Sequence, residues 1–284
     1  MKLSLTLNSW PLSRQQQQRQ LEQLNQLSVD RVYLGETVCE KRDRPALRSL
    51  LEYAEVASHS GKQVVLSTLN LINGPRELKL LQQICHQTEC LVEASDLTAV
   101  QLMAEQKRPF LASANLNLYN LDSLRWMQSL GAIGFTPPID ISDDNAAVLI
   151  AQAREALITP LSAEMIGFGW PVLAVSARCA TARIQGRNKA HCDKICQQRS
   201  LPLASTLEGQ EMLHINGPQT HGAIPVDRLD AIHYWQQQGV EWMRLVPGPG
   251  LDADWLTQLS EDLAAAAPLR RHEIPVPTHK TTTG

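Results

Sequence analysis

Six of the 284 residues are cysteines, at positions 39, 85, 90, 179, 192 and 196. Three of them, Cys179, Cys192 and Cys196, form the unit C-x12-C-x3-C, while Cys39 stands far upstream in Gly35-Glu36-Thr37-Val38-Cys39. What such thiols do depends on compartment. The segment Met1 to Ser13 lacks the apolar length of a secretory signal, and no apolar run reaches the ~18 residues of a bilayer span. The expectation is a cytoplasmic protein without a transmembrane segment. Disulfides are rare in that compartment, and clustered cysteines there bind metal or carry out redox chemistry.

Spacing narrows the choice without closing it. Structural zinc sites usually pair their cysteines as two short knuckles, and among Cys39, Cys179, Cys192 and Cys196 only the last two make one. Three neighbours plus one remote ligand suit a cuboidal 4Fe–4S cluster, in which each iron takes one thiolate. Zinc and a redox-active dithiol remain as alternatives. Basic residues crowd the same segments: Lys41, Arg42 and Arg44 after Cys39, Arg178 and Arg183 around Cys179, and Arg187, Lys189 and Lys194 around Cys192. Cations of this kind offset the negative charge of a thiolate-ligated centre. Cys85, on the apolar face of a helix, and Cys90, at a strand entry, read as small core residues. His191 adjoins Cys192 and reads as an exposed loop residue rather than a substitute ligand.

For Cys39 to meet the other three, the fold must bring distant loops to one place. Eight short β-rich segments supply the frame: Lys2–Leu7, Arg31–Gly35, Gln63–Ser67, Leu91–Ala94, Phe110–Ser113, Ala132–Thr136, Ser162–Gly167 and Glu241–Val246. Amphipathic stretches of helical period lie between them, as in Leu47, Leu50, Leu51 and Ala54, or Leu78, Leu81, Ile84 and Cys85. Alternating strands and helices in this number predict an α/β fold, a (β/α)8 TIM-like barrel, with room for distortion or incomplete closure. A doubly wound sheet is the competing topology, but no G-x-G-x-x-G or P-loop follows any strand. In a barrel every βα loop opens on the C-terminal face, so Cys39 and the C-x12-C-x3-C unit share a rim.

Residues 168–226 break the rhythm and are expected to form a cysteine-containing insertion after the seventh strand, with a hairpin of Leu203–Thr206 and Met212–Ile215 around Glu208-Gly209. Residues 1–267 are expected to make one domain. The tail 268–284, with Pro275, Pro277 and three consecutive threonines, has the composition of a disordered segment. The Gln15–Gln18 run, followed by Leu21 and Leu24, reads as the solvated face of a helix. The composition, with 43% hydrophobic and 19% charged residues and a net charge of −3, belongs to a folded chain and gives no basic excess for DNA.

Strand ends on the cysteine face offer Glu36, Ser67, Thr68, Glu93, Ser95, Asp96, Asn115, Asn117 and Arg244. Glu93 and Asp96 are the candidate catalytic carboxylates, since acids at barrel strand ends often serve catalysis. Each also has an ordinary structural use: Asp96 can cap the following helix, and Glu93 can pair with a base. Leu116, Leu118, Tyr119 and Trp170 either pack the core or line an apolar surface.

The segments Val32-Tyr33-Leu34-Gly35-Glu36-Thr37-Val38-Cys39, Leu91-Val92-Glu93-Ala94-Ser95-Asp96-Leu97, Ser176-Ala177-Arg178-Cys179 and Ile215-Asn216-Gly217-Pro218-Gln219-Thr220 resemble the collagenase-like peptidase (U-32) superfamily, and within it the ubiquinone-biosynthesis branch. The resemblance runs from Lys2 to about Leu259. It implies a 4Fe–4S cluster held by Cys39, Cys179, Cys192 and Cys196, and a heterodimer with a paralogous UbiU-type subunit. It further implies a lipid-binding accessory protein as partner and oxygen-independent hydroxylation of a ubiquinone precursor. Two other expectations stand beside it: a non-catalytic scaffold stabilised by a four-cysteine metal site, and RNA-base hydroxylation, which the net charge of −3 disfavours. Proteolysis is not expected, because neither G-x-S-x-G nor H-E-x-x-H occurs.

Overall fold

The computed structural model describes residues 1–248, 257, 258 and 261, apart from 8, 24–26, 43, 44, 157, 158 and 199–201. Leu24, Arg44, Leu259 and the tail 268–284 lie outside the described residues.

The first six βα units follow one another directly. They are β1 (Lys2–Thr6), α1 (Arg14–Gln23), β2 (Arg31–Leu34), α2 (Leu47–His59), β3 (Gln63–Ser67), α3 (Pro75–His86), β4 (Leu91–Ala94), α4 (Leu97–Glu105), β5 (Phe110–Ala112), α5 (Leu121–Ser129), β6 (Ala132–Phe135) and α6 (Asp143–Ala156). Then come β7 (Ser162–Gly169), β8 (Val172–Val175), α7 (Ala180–Ile184), α8 (Ile195–Gln198), β9 (Leu203–Ser205), β10 (Glu211–Asn216), β11 (Gln219–Gly222), β12 (Val226–Asp227), α9 (Ile232–Gln237) and β13 (Trp242–Leu245).

Parallel pairing runs from β1 through β6, on to β7, across to β13 and back to β1, which closes an eight-stranded barrel. The eight strands are those the sequence predicts, each within two residues at either end. Closure is complete despite the insertion, because β7 pairs parallel with both β6 and β13; β12 adds antiparallel to the end of β7, Val226 opposite Gly169.

Strand residues alternate between two environments. Leu5, Val32, Leu34, Leu66, Val92, Phe110, Phe135, Met165 and Met243 face outward into the apolar layer under the helices. That layer is completed by Leu50, Ala54 and Ala57 of α2, by Leu81 and Ile84 of α3, and by Val100 and Met103 of α4, all at helical spacing. Inside the barrel, Tyr33, Val65 and Leu111 form a small apolar plug. Most other inward positions carry polar or charged side chains.

The insertion differs from the expected hairpin. Leu203–Ser205 and Glu211–Asn216 do pair antiparallel, but β8 and β11 extend them into a four-stranded sheet of order β8-β11-β10-β9. The two further strands escaped the sequence pattern for physical reasons. Three of the four residues of β8 are exposed although apolar, and β11 reads Gln-Thr-His-Gly, which carries no strand signature.

Candidate functional site: a cysteine recess beside the barrel mouth

The barrel interior is held by ions rather than by branched apolar residues. Arg244 on β13 donates from Nη1 to Glu93 Oε1 on β4 at 2.6 Å and from Nη2 to Glu164 Oε2 on β7. Glu164 also accepts from the Ser4 and Tyr33 hydroxyls, Arg31 lies 3.8 Å from its other oxygen, and Ser67 donates to Glu93 Oε2 at 2.6 Å. The Arg244 guanidinium stacks 3.6 Å above the Tyr33 ring. Burial alone would raise the Glu164 carboxyl, but Arg244 and Arg31 hold it below the ordinary carboxylate value. The converse holds for Arg244: burial opposes its charge, and Glu164 and Glu93 more than restore it. Burying so many charges is costly unless every partner is present.

Above this layer the barrel mouth opens into a cavity of about 760 Å³, counting its entrance. Glu93, Arg244 and Thr6 lie at its base, with Trp10, Trp170 and His221 on one side and Ser113, Asn115 and Asn117 on the other. Trp10 meets His221 at 4.5 Å between ring centres and Trp170 edge-on at 6.1 Å. Burial pushes the His221 imidazole down to about 4, so the ring is neutral near pH 7.

The second feature is a smaller recess of about 350 Å³, mouth included, lined by Cys39, Cys179, Cys192 and Cys196 together with Lys41, Arg42, Lys189 and Lys194. Local chemistry presents each thiol. After β2 the chain turns at Gly35, whose φ of +116° suits glycine and where a Cβ would stand 2.7 Å from the Ser67 carbonyl oxygen. Glu36 then accepts the Val38 and Cys39 N–H groups at 2.8 and 3.1 Å, fixing the Cys39 loop. Cys179 caps α7, its Sγ accepting from the Ala182 N–H at 3.4 Å. Between Cys192 and Cys196, Asp193 and Lys194 both take left-handed conformations, φ 46° and 54°. Backbone of this kind costs energy for non-glycine residues and concentrates at functional sites. Lys41 Nζ donates to the carbonyls of Lys189 and Ala190 at 2.6 and 2.7 Å, tying the Cys39 loop to the Cys192 loop.

Burial pushes Cys39 up to about 12, Glu40 adding to it, and burial likewise raises Cys179. Among the described residues, no three His, Cys, Asp or Glu side chains stand close enough to grip a single metal ion. Tetrahedral zinc, with Zn–S of about 2.3 Å, would need sulfurs roughly 3.8 Å apart. A cuboidal cluster takes its thiolates at separate corners and so spreads them more widely.

One turn joins the two features. Gly217 and Pro218, between β10 and β11, line the recess, while Gln219 and His221 line the mouth cavity. Asn216, fully buried, accepts from Arg42 Nη2, donates to the Ser9 carbonyl at 3.0 Å and meets His221 Nε2 at 3.2 Å. A continuous line of hydrogen bonds thus runs from a recess residue to a cavity wall.

The four cysteines expected to converge line one recess, and Glu93 and Arg244 meet at the base of the cavity. Asp96 caps α4, accepting from the Thr98 N–H at 2.7 Å, and does not line the cavity. Ser67 and Thr68 are buried, the first bonded to the Glu93 carboxylate and the second to its carbonyl. Cys85 and Cys90 pack in the main core. His191 is exposed, with its backbone N–H on Asn188. Trp170 serves both expected roles, buried against Phe168 and facing the cavity, whereas Leu118 is core and Tyr119 is exposed. Sequence reasoning missed Glu164, Tyr33, Arg31, Ser4, Trp10 and His221. A signal for the first four was present: polar residues at alternate positions of otherwise apolar strands, a period of two that points them into the barrel.

A closed (β/α)8 barrel with a polar interior and an inserted sheet that carries thiols to its rim defines the architectural class. The family description "Peptidase family U32" matches residues 16–223, and the chain belongs to that family. Solved structures similar in chain path include the U32 peptidase Mk0906, at 12% identity and TM-score 0.48 over 87% of this chain and 93% of that one. Others are the spore cortex-lytic enzyme SleL of Bacillus megaterium QM B1551, at 9% identity and TM-score 0.45 over 92% and 73%, and a chitinase of Rhizomucor miehei, at 10% identity and TM-score 0.46 over 93% and 100%.

Proposed function

We propose that this chain is the iron–sulfur subunit of an oxygen-independent hydroxylase in ubiquinone biosynthesis, a UbiV-type protein that acts with a paralogous UbiU-type subunit and a lipid-binding accessory protein. The observation that carries the reading is the meeting of Cys39 with Cys179, Cys192 and Cys196 in one cation-lined recess. The donor set fits a 4Fe–4S cluster: four thiols lining one recess, with two lysines and an arginine besides Lys189 to offset a tetrathiolate's charge. When bound, such a cluster supplies single-electron transfer.

The chain's own residues do the rest. Glu36 and the turn at Gly35 aim Cys39, and Cys179 is aimed by its cap on α7. Lys41 holds the two loops together, and Cys39, Cys179 and Cys192 are buried while Cys196 is half-buried. Glu93, oriented by Arg244 and Ser67, is the carboxylate available at the cavity base to orient a substrate hydroxyl. Asp96 acts through α4 alone.

Cys39 and Cys179 are poorly set up as proteolytic nucleophiles. A nucleophilic thiol needs a depressed pKa and a base, whereas burial raises Cys39 and Cys179. Among the described residues no hydrogen bond joins a histidine to either thiol; Cys39 meets Glu40 and Cys179 meets a backbone N–H.

The test is reconstitution with iron and sulfide without air on the full chain and on single cysteine variants. Cys39→Ala, Cys179→Ala, Cys192→Ala and Cys196→Ala should each lose most of the iron, while Cys85→Ala and Cys90→Ala keep it. Full retention in Cys39→Ala would overturn the ligand set.

A further inference from the structure

We infer that Arg42 is a positioning residue of the cysteine recess: its buried Nε–H donates to a sulfur of the bound cluster, in a pose held by Asn216, and so eases the cluster's reduction. The inference deepens the cluster reading and rests on it.

The unmatched donor comes first. Arg42 lines the recess, is 4% exposed, and donates from its backbone N–H to the Cys39 carbonyl at 3.1 Å. Both terminal nitrogens of its guanidinium are engaged. Nη2 donates to Asn216 Oδ1, and Nη1 lies 3.5 Å from the Ser9 carbonyl oxygen and 3.8 Å from Glu36 Oε1. Nε is buried and meets no acceptor among the described residues. Buried polar groups are almost always satisfied, so a buried cationic N–H left over in a recess of four thiols marks an acceptor that arrives with the cofactor. Thiolate and sulfide sulfurs are such acceptors, and hydrogen bonds to them help to set a cluster's potential.

The neighbouring cations are differently committed. Lys41 is bound to the carbonyls of Lys189 and Ala190, and Lys189 to Glu77 at 2.8 Å and Glu40 at 3.2 Å. Arg42 faces Glu36, but that carboxylate already accepts the Val38 and Cys39 N–H groups. Asn216 fixes the pose of the guanidinium. It is fully buried at the end of β10, and its Nδ2 donates to the Ser9 carbonyl at 3.0 Å, which turns its Oδ1 toward Arg42. The turn that follows packs closely on the same group: at Gly217, with φ +69°, a Cβ would stand 3.3 Å from Arg42 Nη2. An electron taken up by a four-thiolate centre adds negative charge, which a fixed and desolvated donor stabilises more than the oxidised state. Removing Arg42 therefore makes the centre harder to reduce.

The test uses the full chain reconstituted with iron and sulfide without air, its cluster content measured first. Protein grown on arginine labelled with ¹⁵N at Nε is cryoreduced and examined by pulsed electron paramagnetic resonance. The reduced cluster should show a weak ¹⁵N coupling that Arg42→Lys abolishes. In redox titrations, Arg42→Met should lower the reduced-to-oxidised ratio at a fixed potential about 10-fold, equal to about 59 mV for one electron. Asn216→Ala should move it the same way by about 3-fold. Arg42→Lys, with the charge but no Nε–H, should fall between Arg42→Met and the native chain. An arginine that served only as a strut would change iron uptake or melting temperature and leave the midpoint of the loaded fraction native. No ¹⁵N coupling in the loaded native chain, a native midpoint in loaded Arg42→Met, or a native midpoint in Arg42→Lys would overturn the inference. The coupling is read on the native sequence, so it decides the matter even where Arg42→Met does not fold or load. A native chain that takes up no iron and sulfide sinks the cluster reading itself; a loaded one without the coupling sinks this inference alone.

Discussion

Replacing Arg244 with methionine removes the cation on which the barrel interior depends. Arg244 is 5% exposed, Glu93 and Glu164 are 3% exposed, and the guanidinium bridges them across the barrel. Methionine approximates its length but leaves two buried carboxylates with only Ser67, Tyr33, Ser4 and the more distant Arg31 as partners. Stranding a buried charge costs about 3–5 kcal/mol. At roughly 2–4 °C per kcal/mol for a domain near this size, the melting temperature should fall by about 6–20 °C. The pH dependence should also change sign. In the native protein the Glu164 carboxyl lies below its ordinary value, so its contribution is present near neutrality and lost as acid reaches the lower folded value. Without Arg244, burial is opposed only by the more distant Arg31 and the Ser4 and Tyr33 hydroxyls and raises that carboxyl, so the folded state holds its proton more tightly than the unfolded one. Stability of Arg244→Met should therefore rise as pH falls from about 8 to 5. Urea melts followed by circular dichroism at both pH values measure this, and Arg244→Met/Glu164→Gln should recover part of the loss. Additive single-variant losses, or a variant that still weakens on acidification, would refute the reasoning.

Two further outcomes follow from individual contacts. The buried His221 imidazole, pushed down to about 4 from 6.5, makes the folded state bind fewer protons than the unfolded one between those values. Native stability should then drop by about 3 kcal/mol as pH falls through that window; His221→Gln should flatten this share of the slope in melts compared pH by pH. Asp96→Ala removes the Thr98 N–H acceptor at the start of α4. It should cost about 1 kcal/mol by urea melt while leaving iron incorporation on reconstitution unchanged.

Local pattern made the barrel legible. Each of its eight strands is a short β-rich run followed by a helical repeat or a visible break, and parallel pairing needs little more than that order. The cysteines were legible because their types and spacing are rare and because one rim gathers all βα loops. The inserted sheet was half hidden: β9 and β10 flank the turn residues Glu208-Gly209, whereas β8 and β11 depend on each other rather than on their own composition. The mouth cavity was hidden more deeply. Trp10 and His221 sit 211 positions apart and meet because β11 folds back over the barrel end, a long-range contact no local window carries. Glu164 and Tyr33 were readable in principle, as polar side chains on alternate positions of buried strands, but only once those strands are known to enclose an interior.

The central claim is that four thiols from two distant segments grip one iron–sulfur centre. Native mass spectrometry of the chain purified without air tests it most directly, with iron and acid-labile sulfide determined on the same sample. The account predicts one species heavier by an equal complement of iron and sulfide, about four of each, and return to the bare mass in Cys39→Ala. A chain carrying a single zinc, or one whose cofactor mass survives loss of Cys39, would contradict it.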